Sequence, residues 1–323
     1  FGPLDMDPTE VPGGTLHPRR IARGVVTGIE DYGNKMGIPT VSGAILYHED
    51  YVANPLVYCG CVGIAPKGAH RTDPQPGDLV VALGGRTGRD GLHGATFSSA
   101  ELTHETGETV GSVVQMGDPI TEKAVLDAVM QARDEELYTA ITDCGAVGFS
   151  SAVGDMGREV GVDVDLQDVP LKYPGLRPWE IWLSEAQERM VIAVPESNLS
   201  RLGEICAVYD VEWTVIGHFT GDGRFRVRYG EKPVADMPMT FVHDGWPRPQ
   251  LDAVWTRPDH PAATGPDDED LAATLIDALS HPDVASKEAV IRRYDHEVQG
   301  ATTVKPLVGL FDDGPSDAAV LKP

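Results

Sequence analysis

The run Asp78-Leu79-Val80-Val81-Ala82-Leu83 sets five apolar residues in succession with no polar alternation. A strand of that kind is covered on both faces, so the chain must fold with layers on either side of a sheet. The run passes into Gly84-Gly85-Arg86-Thr87-Gly88-Arg89-Asp90-Gly91-Leu92-His93-Gly94, a loop dense in glycine and charge. Glycine permits positive φ and close approach of the backbone to a ligand, and Arg86 and Arg89 offer forked donors to phosphate or carboxylate. Sheets buried on both faces bind ligands beyond their strand ends, which favours a cradle over a plain surface connection. It is not a standard nucleotide cradle. Gly-x4-Gly-Lys-Ser/Thr is absent, and Gly88-x2-Gly91-x2-Gly94 has neither the dinucleotide spacing nor a following helical pattern.

Around this strand the pattern alternates. Apolar residues Ile21, Val25, Ile29 and Met36 recur at helical spacing between Pro18 and Gly37, which predicts an amphipathic helix over 17–36. Strand-like runs follow at 40–47 and 56–64, then a turn-rich boundary at 66–77. Beyond it come a strand at 78–83, a strand end at Val113-Val114, a helix at 119–138 opened by Asp118-Pro119, a strand at 139–142 and a short helix near 147–159. A strand at 161–167, helix 178–186, strand 189–194, helix 196–209, strand 211–217 and a hairpin around Thr220-Gly221-Asp222-Gly223 complete the series. This is an α/β (α+β) unit over 76–256 with a mixed sheet, because the hairpin needs antiparallel strands. Residues 258–269, rich in Pro and Asp, read as a linker, with helices at 268–280 and 284–294 and a strand-like start at 302–309.

The formal charge of −24 over 323 residues excludes nucleic acid and anionic membrane as partners, since both would be repelled. Scarce lysine and aspartate in excess of glutamate suit a strongly hydrated surface in a salt-rich cytoplasm. No apolar run reaches membrane length, and Phe1-Gly2-Pro3-Leu4-Asp5 has no signal-peptide pattern. The cysteines Cys59, Cys61, Cys144 and Cys206 show no Cys-x2-Cys spacing and read as reduced, buried thiols.

Three junctions place polar side chains at sheet ends: Gln115 before Asp118-Pro119, Asp143 after Ala140-Ile141-Thr142, and Glu185 and Gln187 ahead of the strand at 189. Gln115 could give a two-point amide contact or be an ordinary strand-end residue. Asp143 could hold Mg²⁺, which takes one or two carboxylates with phosphate oxygens, or could cap the next helix. Glu185 and Gln187 could be solvated junction residues. His93 is the only one of the ten histidines inside a candidate site.

Taken together, Tyr32-Gly33-Asn34-Lys35-Met36-Gly37-Ile38-Pro39-Thr40-Val41-Ser42-Gly43, Asn54-Pro55-Leu56-Val57, the glycine loop, Val114-Gln115-Met116-Gly117-Asp118-Pro119, Asp143-Cys144-Gly145-Ala146 and Leu183-Ser184-Glu185-Ala186-Gln187-Glu188-Arg189-Met190 closely resemble the phosphoribosylformylglycinamidine synthase family. The match is to its synthetase subunit, within the aminoimidazole-ribonucleotide-synthetase-like superfamily, and runs in order through nearly all of the chain except the acidic linker. The resemblance implies a purine-biosynthesis ligase that uses ATP and Mg²⁺ to activate the amide oxygen of formylglycinamide ribonucleotide as an iminophosphate, which ammonia from glutamine displaces. It implies a cytoplasmic protein with two partners, a glutamine amidotransferase subunit and a small bridging subunit. By resemblance Gln115, Glu185, Ala186 and Gln187 match substrate-binding positions and Asp143 a Mg²⁺ ligand; Gly84, Gly85, Arg86, Gly88, Arg89, Asp90, Gly91 and His93 form the candidate anion or substrate loop. Ala186 stands where the family has a hydroxyl, which leaves that position a backbone contact only.

The resemblance also implies that the catalytic residues lie upstream of Phe1. On that basis 1–66 is expected to be the end of a first N-domain, 76–256 its C-domain, 257–300 the acidic linker and helices, and 301–323 the start of a second-half N-domain. The piece alone is expected to be inactive. Rival readings are an ATP-dependent small-molecule kinase or cyclising synthetase of the same superfamily, and a non-catalytic acidic module that docks a partner. The acidic composition makes its own prediction: unfolding curves should show a marked loss of stability at low salt relative to multimolar salt, and equal stability in both would reject the salt-adapted reading.

Overall fold

The computed structural model describes residues 1–92, 117–260 and 270–322. Gln115, His93, the strand end at Val113-Val114 and most of the acidic linker lie outside the described residues. The helix expected first is α1, Pro18–Met36, with Pro18 in its first turn and the His17 ring accepting from the Arg19 N–H. Gly37 ends it in the left-handed conformation at φ 68°, and Ile21, Ala22, Val26 and Met36 form its buried face.

The two strand-like runs that follow do not form strands. Residues 40–47 and 56–64 have no ladder partner among the described residues, and Val62 is 95% exposed. Alternating apolar residues make a strand only when a neighbouring strand completes their N–H and C=O groups, and local pattern cannot supply that neighbour. Thr40 instead donates its N–H to the Asp295 carbonyl at 2.8 Å, and Gln299 donates to the Gly37 carbonyl at 2.8 Å. The chain's last third thereby folds back onto the end of α1.

The centre of the molecule is a seven-stranded sheet, with strands β1 Leu79–Gly84, β2 Ala140–Asp143, β3 Val162–Asp165, β4 Arg189–Val194, β5 Trp213–Phe219, β6 Arg224–Tyr229 and β7 Lys232–Pro238. Their order is β2-β4-β1-β5-β3-β6-β7, all neighbours antiparallel except β3 and β6. The sheet is therefore mixed, as expected, but the expected hairpin at 220–223 is not one. β5 and β6 flank β3, and the turn at Thr220-Gly223 straddles the start of β3, with the Thr220 N–H bonded to the Gly161 carbonyl and the Gly223 N–H to the Val160 carbonyl. The true hairpin is β6 to β7, where Tyr229 pairs with Lys232. A Gly-Asp-Gly turn signals a chain reversal without saying whether a third strand lies between the two arms.

Burial on both faces follows from the run that opened the sequence. Val80 and Ala82 point into one core with Phe149, Ile181 and Phe219, while Val81 and Leu83 point into the other with Val125, Ile192 and Ile205. The first core is covered by α3 Phe149–Met156 and α4 Pro178–Leu183, following α2 Pro119–Asp134, which with α5 Leu199–Val208 covers the second. Asp118 caps α2, its carboxylate accepting from the Ile120 and Thr121 N–H groups. That helix ends at Asp134, short of the expected 138, where Glu136 turns at φ 56°. The stretch at 284–294 keeps a single helical turn, Glu288–Ile291. From Thr302 on, only short ladders form among the described residues, Val304 against Val320 and Leu307 against Pro315.

Truncating Phe219, fully buried, should cost about 3–5 kcal/mol of unfolding free energy by denaturant titration, whereas Val62→Ala should stay within about 0.5 kcal/mol. Comparable losses at both positions would show that the 56–64 run is covered in solution.

Candidate functional site

Because β1 and β2 both run antiparallel to β4, the end of β1, the end of β2 and the start of β4 share one edge of the sheet. Gly84 is paired with Arg189 and Asp143 with Met190. The first part of the glycine loop, Asp143 and the Glu185–Gln187 run are thereby brought together. Gly117 joins them: a Cβ there would lie 2.9 Å from the Tyr32 ring and 3.2 Å from Gln187 Cβ. Tyr32 reaches across from α1, its hydroxyl bonded to the Glu122 carboxylate.

The loop after β1 is built by close approach. Gly84 sits at φ 93°, and any Cβ on it would meet the Glu188 carbonyl at 2.0 Å, so neither the conformation nor the space admits a side chain. Three residues on, Thr87 pairs with the 170–172 segment, donating to the Pro170 carbonyl and accepting from the Lys172 N–H, both at 2.9 Å. The charged side chains are engaged within the fold. Arg86 meets Glu212 at 2.8 Å, Arg89 meets Glu180 at 2.8 Å and lies 5.6 Å over the Tyr173 ring, and Asp90 meets Lys172 at 2.7 Å. The described part of the loop is thus a strut tied to α4 and to 170–175, and its two arginines already hold carboxylates.

Glu185 is partly buried and accepts from the Val147 N–H at 3.0 Å, while its own N–H donates to the Asp90 carbonyl at 2.9 Å. It links the glycine loop to the turn before α3. Ala186 is 1% exposed, so its missing hydroxyl would have entered a closed space. Gln187 is exposed. Asp143 is exposed as well and accepts from the Gly145 N–H at 2.7 Å, forming the local turn. No cluster of three or more His, Cys, Asp or Glu with metal-ligand geometry occurs among the described residues. Asp143 fits the metal role as one hard oxygen donor, since Mg²⁺ is held by one or two carboxylates with phosphate oxygens and water.

The residues that sequence reasoning missed are the next two, Glu188 and Arg189, only 5% and 2% exposed. Glu188 packs against Gly85, and its Oε2 has no partner among the described residues; together with burial its charge pushes the Glu122 carboxyl up. Arg189 lies on the other face, 3.9 Å over the Phe149 ring. Burial pushes the neighbouring Cys144 thiol up, which keeps it protonated and unsuited to act as a nucleophile. Two charges at the head of an otherwise apolar strand were the available signal. Cys59 and Cys61, expected to be buried, are exposed because the 56–64 run is unpaired.

Glu180 gives the site a pH dependence. The Arg89 guanidinium and the Arg177 N–H hold its carboxyl below the usual glutamate range. A depressed folded pKa stabilises above the unfolded value near 4.5 and is lost as the pH falls through the folded one. Glu180→Gln should therefore lower the melting temperature at about pH 7, and the gap to wild type should close as the pH falls through the lowered folded value; a gap independent of pH would reject the pairing.

Residues 75–230 match the family model described as "AIR synthase related protein, C-terminal domain". The chain is 39% identical over 316 residues to the phosphoribosylformylglycinamidine synthase subunit PurL of Picrophilus torridus and 41% identical over 314 residues to that of Methanopyrus kandleri. These alignments take in 96% and 95% of this chain and 42% of each relative, so the chain spans about two fifths of the length of the curated relatives it matches. Among solved structures it is similar to PurLQS from Thermotoga maritima, with a TM-score of 0.67 and 27% identity over 89% of this chain and 44% of that one. It is similar also to T. maritima PurL complexed with FGAR, with a TM-score of 0.66 and 29% identity over 88% and 45%. The ordered match over nearly the whole chain, with a likeness of fold to match, shows this chain to be a relative of the phosphoribosylformylglycinamidine synthase PurL subunits.

Proposed function

We propose that the gene product carrying this chain converts formylglycinamide ribonucleotide to formylglycinamidine ribonucleotide in the cytoplasm, consuming ATP and ammonia drawn from glutamine. The observation that carries this reading is identity of 39–41% to PurL subunits along 95–96% of the chain, together with the gathering of the family-like segments at one sheet edge. Phosphoryl transfer relies on positioning and neutralisation more than on covalent help from the protein. The chain's contribution is then to bind and orient: Glu185 and Gln187, with the backbone at Ala186, hold the ribonucleotide at the edge formed by β1, β4 and β2, and Gln115 is a further substrate-binding residue. Asp143 offers a carboxylate to Mg²⁺, which when bound offsets charge on the transferring phosphoryl group.

The glycine loop forms one wall. Gly84, Gly85 and Gly91 bring backbone close to Glu188 and Glu185, Gly88 lies against Asp90 and Lys172, and Arg89 and Asp90 stiffen the loop through their ion pairs. Residues 1–66 are the end of one domain, 76–256 a second, 257–300 a linker with helices, and 301–323 the start of a further domain. Ammonia arrives from a glutamine amidotransferase subunit, with a small bridging subunit between, in line with the similarity to the T. maritima PurLQS structure.

The test is ATP- and ribonucleotide-dependent turnover of the full-length gene product with ammonia as donor. Asp143→Asn and Gln115→Ala should each lower kcat/KM by about a hundredfold, and undiminished turnover in both would sink the site assignment. Absence of any ribonucleotide-dependent ATP consumption in the wild type would favour the docking-module reading instead.

A further inference from the structure

We infer that Arg189 is a positioning residue that holds the separate segments of the proposed ribonucleotide site in register, an inference that rests on the reading that those segments bind the ribonucleotide. Arg189 is 2% exposed, and no carboxylate within ion-pair distance faces its guanidinium among the described residues, unlike Arg86, Arg89 and Lys172 nearby. A buried charge without a counter-charge is costly, and its retention calls for a function that an apolar side chain of similar volume could not serve.

The contacts state what that function is. One terminal nitrogen donates to the Ser184 carbonyl at 2.7 Å, fixing the peptide that leads directly into Glu185. The other donates to the Thr87 hydroxyl, in the glycine loop. The guanidinium Cζ lies 3.9 Å from the ring centroid of Phe149, the first residue of α3, and the Arg189 carbonyl accepts from the Cys144 N–H at 3.2 Å, next to Asp143. The glycine loop, the 144–149 stretch and the peptide leading into Glu185 meet on a single side chain and its own peptide. The rigid fork of arginine supplies two diverging donors and a stacking face, which lysine, with one compact ammonium, cannot reproduce together. Nε is left without a hydrogen-bond partner among the described residues, so the geometry is set by the two terminal nitrogens and not by full satisfaction of the group.

The experiment uses the full-length gene product with ammonia as donor, comparing wild type, Arg189→Lys, Arg189→Met and Thr87→Val. Both Arg189 variants should raise KM for formylglycinamide ribonucleotide by roughly tenfold to a hundredfold while KM for ATP stays near wild type, and Thr87→Val should fall between. In the ligand-free protein, hydrogen exchange at the Lys172 and Glu185 amides, which close the Thr87 and Asp90 contacts, should accelerate together by about tenfold or more in both Arg189 variants. Wild-type KM and exchange in Arg189→Lys would show that charge alone matters and would overturn the inference. So would a parallel rise of both KM values with no localised exchange, the mark of general loss of packing. If Arg189→Met fails to fold, Arg189→Lys and Thr87→Val decide. If the wild type shows no ribonucleotide-dependent turnover, the functional reading fails and the exchange data alone still judge the tether.

Discussion

The antiparallel pairing of β1 and β2 with β4 is the constraint on which the rest depends. Had β4 run parallel to either, Gly84, Asp143 and Glu185 would lie at opposite ends of the sheet. The pairing is held by apolar burial on both faces, with Val80 to Leu83 and Val191 to Val194 alternating between two cores. At about 25 cal/mol per Å² of apolar surface removed from water, such strands hold their register firmly, since a one-residue slip would exchange the two faces. A site carried at the end of these strands inherits that rigidity, while its loops remain free to differ among relatives.

At the head of β4 the same alternation separates two charges. Glu188 and Arg189 are adjacent, so their side chains fall on opposite faces, the carboxylate beneath Gly85 on the α2 side and the guanidinium over Phe149 on the α3 side. They cannot neutralise each other across the sheet. The guanidinium is stabilised by a carbonyl, a hydroxyl and a ring, whereas the carboxylate has one oxygen left unpartnered among the described residues. Buried polar groups left partly unsatisfied concentrate at functional edges, because a core built for stability alone would use apolar residues there.

The sequence made the main architecture legible where its signal was local. The unbroken apolar run at 79–83 foretold a strand covered on both sides, and Asp118-Pro119 foretold the cap and start of α2. The failures share one cause, a partner that is distant in sequence. The runs at 40–47 and 56–64 read as strands but find no neighbour among the described residues, and the turn at 220–223 read as a hairpin because nothing local announces that β3 lies between its arms. Arg189 escapes for the same reason: its importance lies in meeting Thr87 and Phe149, and no spacing along the chain encodes that meeting. The candidate residues were found chiefly through whole motifs, which carry tertiary information that periodicity lacks.

The glycine loop shows how the structure redistributes roles among residues that look equivalent in sequence. Arg86 and Arg89 both read as donors to an anion, yet their partners differ in kind. The Arg86 ion pair with Glu212 is solvent-exposed on both sides, and exposed pairs of this sort contribute little and exchange partners readily. Arg89 instead meets a Glu180 side chain that is only 10% exposed and also accepts from the Arg177 N–H, so releasing Arg89 would strand a buried carboxylate at the start of α4. Of the two, Arg86 is the cation that an incoming anion could recruit, and Arg89 is committed to the frame. The loop's remaining contribution is backbone: with Gly84 and Gly91 at positive φ against Glu188 and Glu185, it shapes the wall of the site by how closely it can pass.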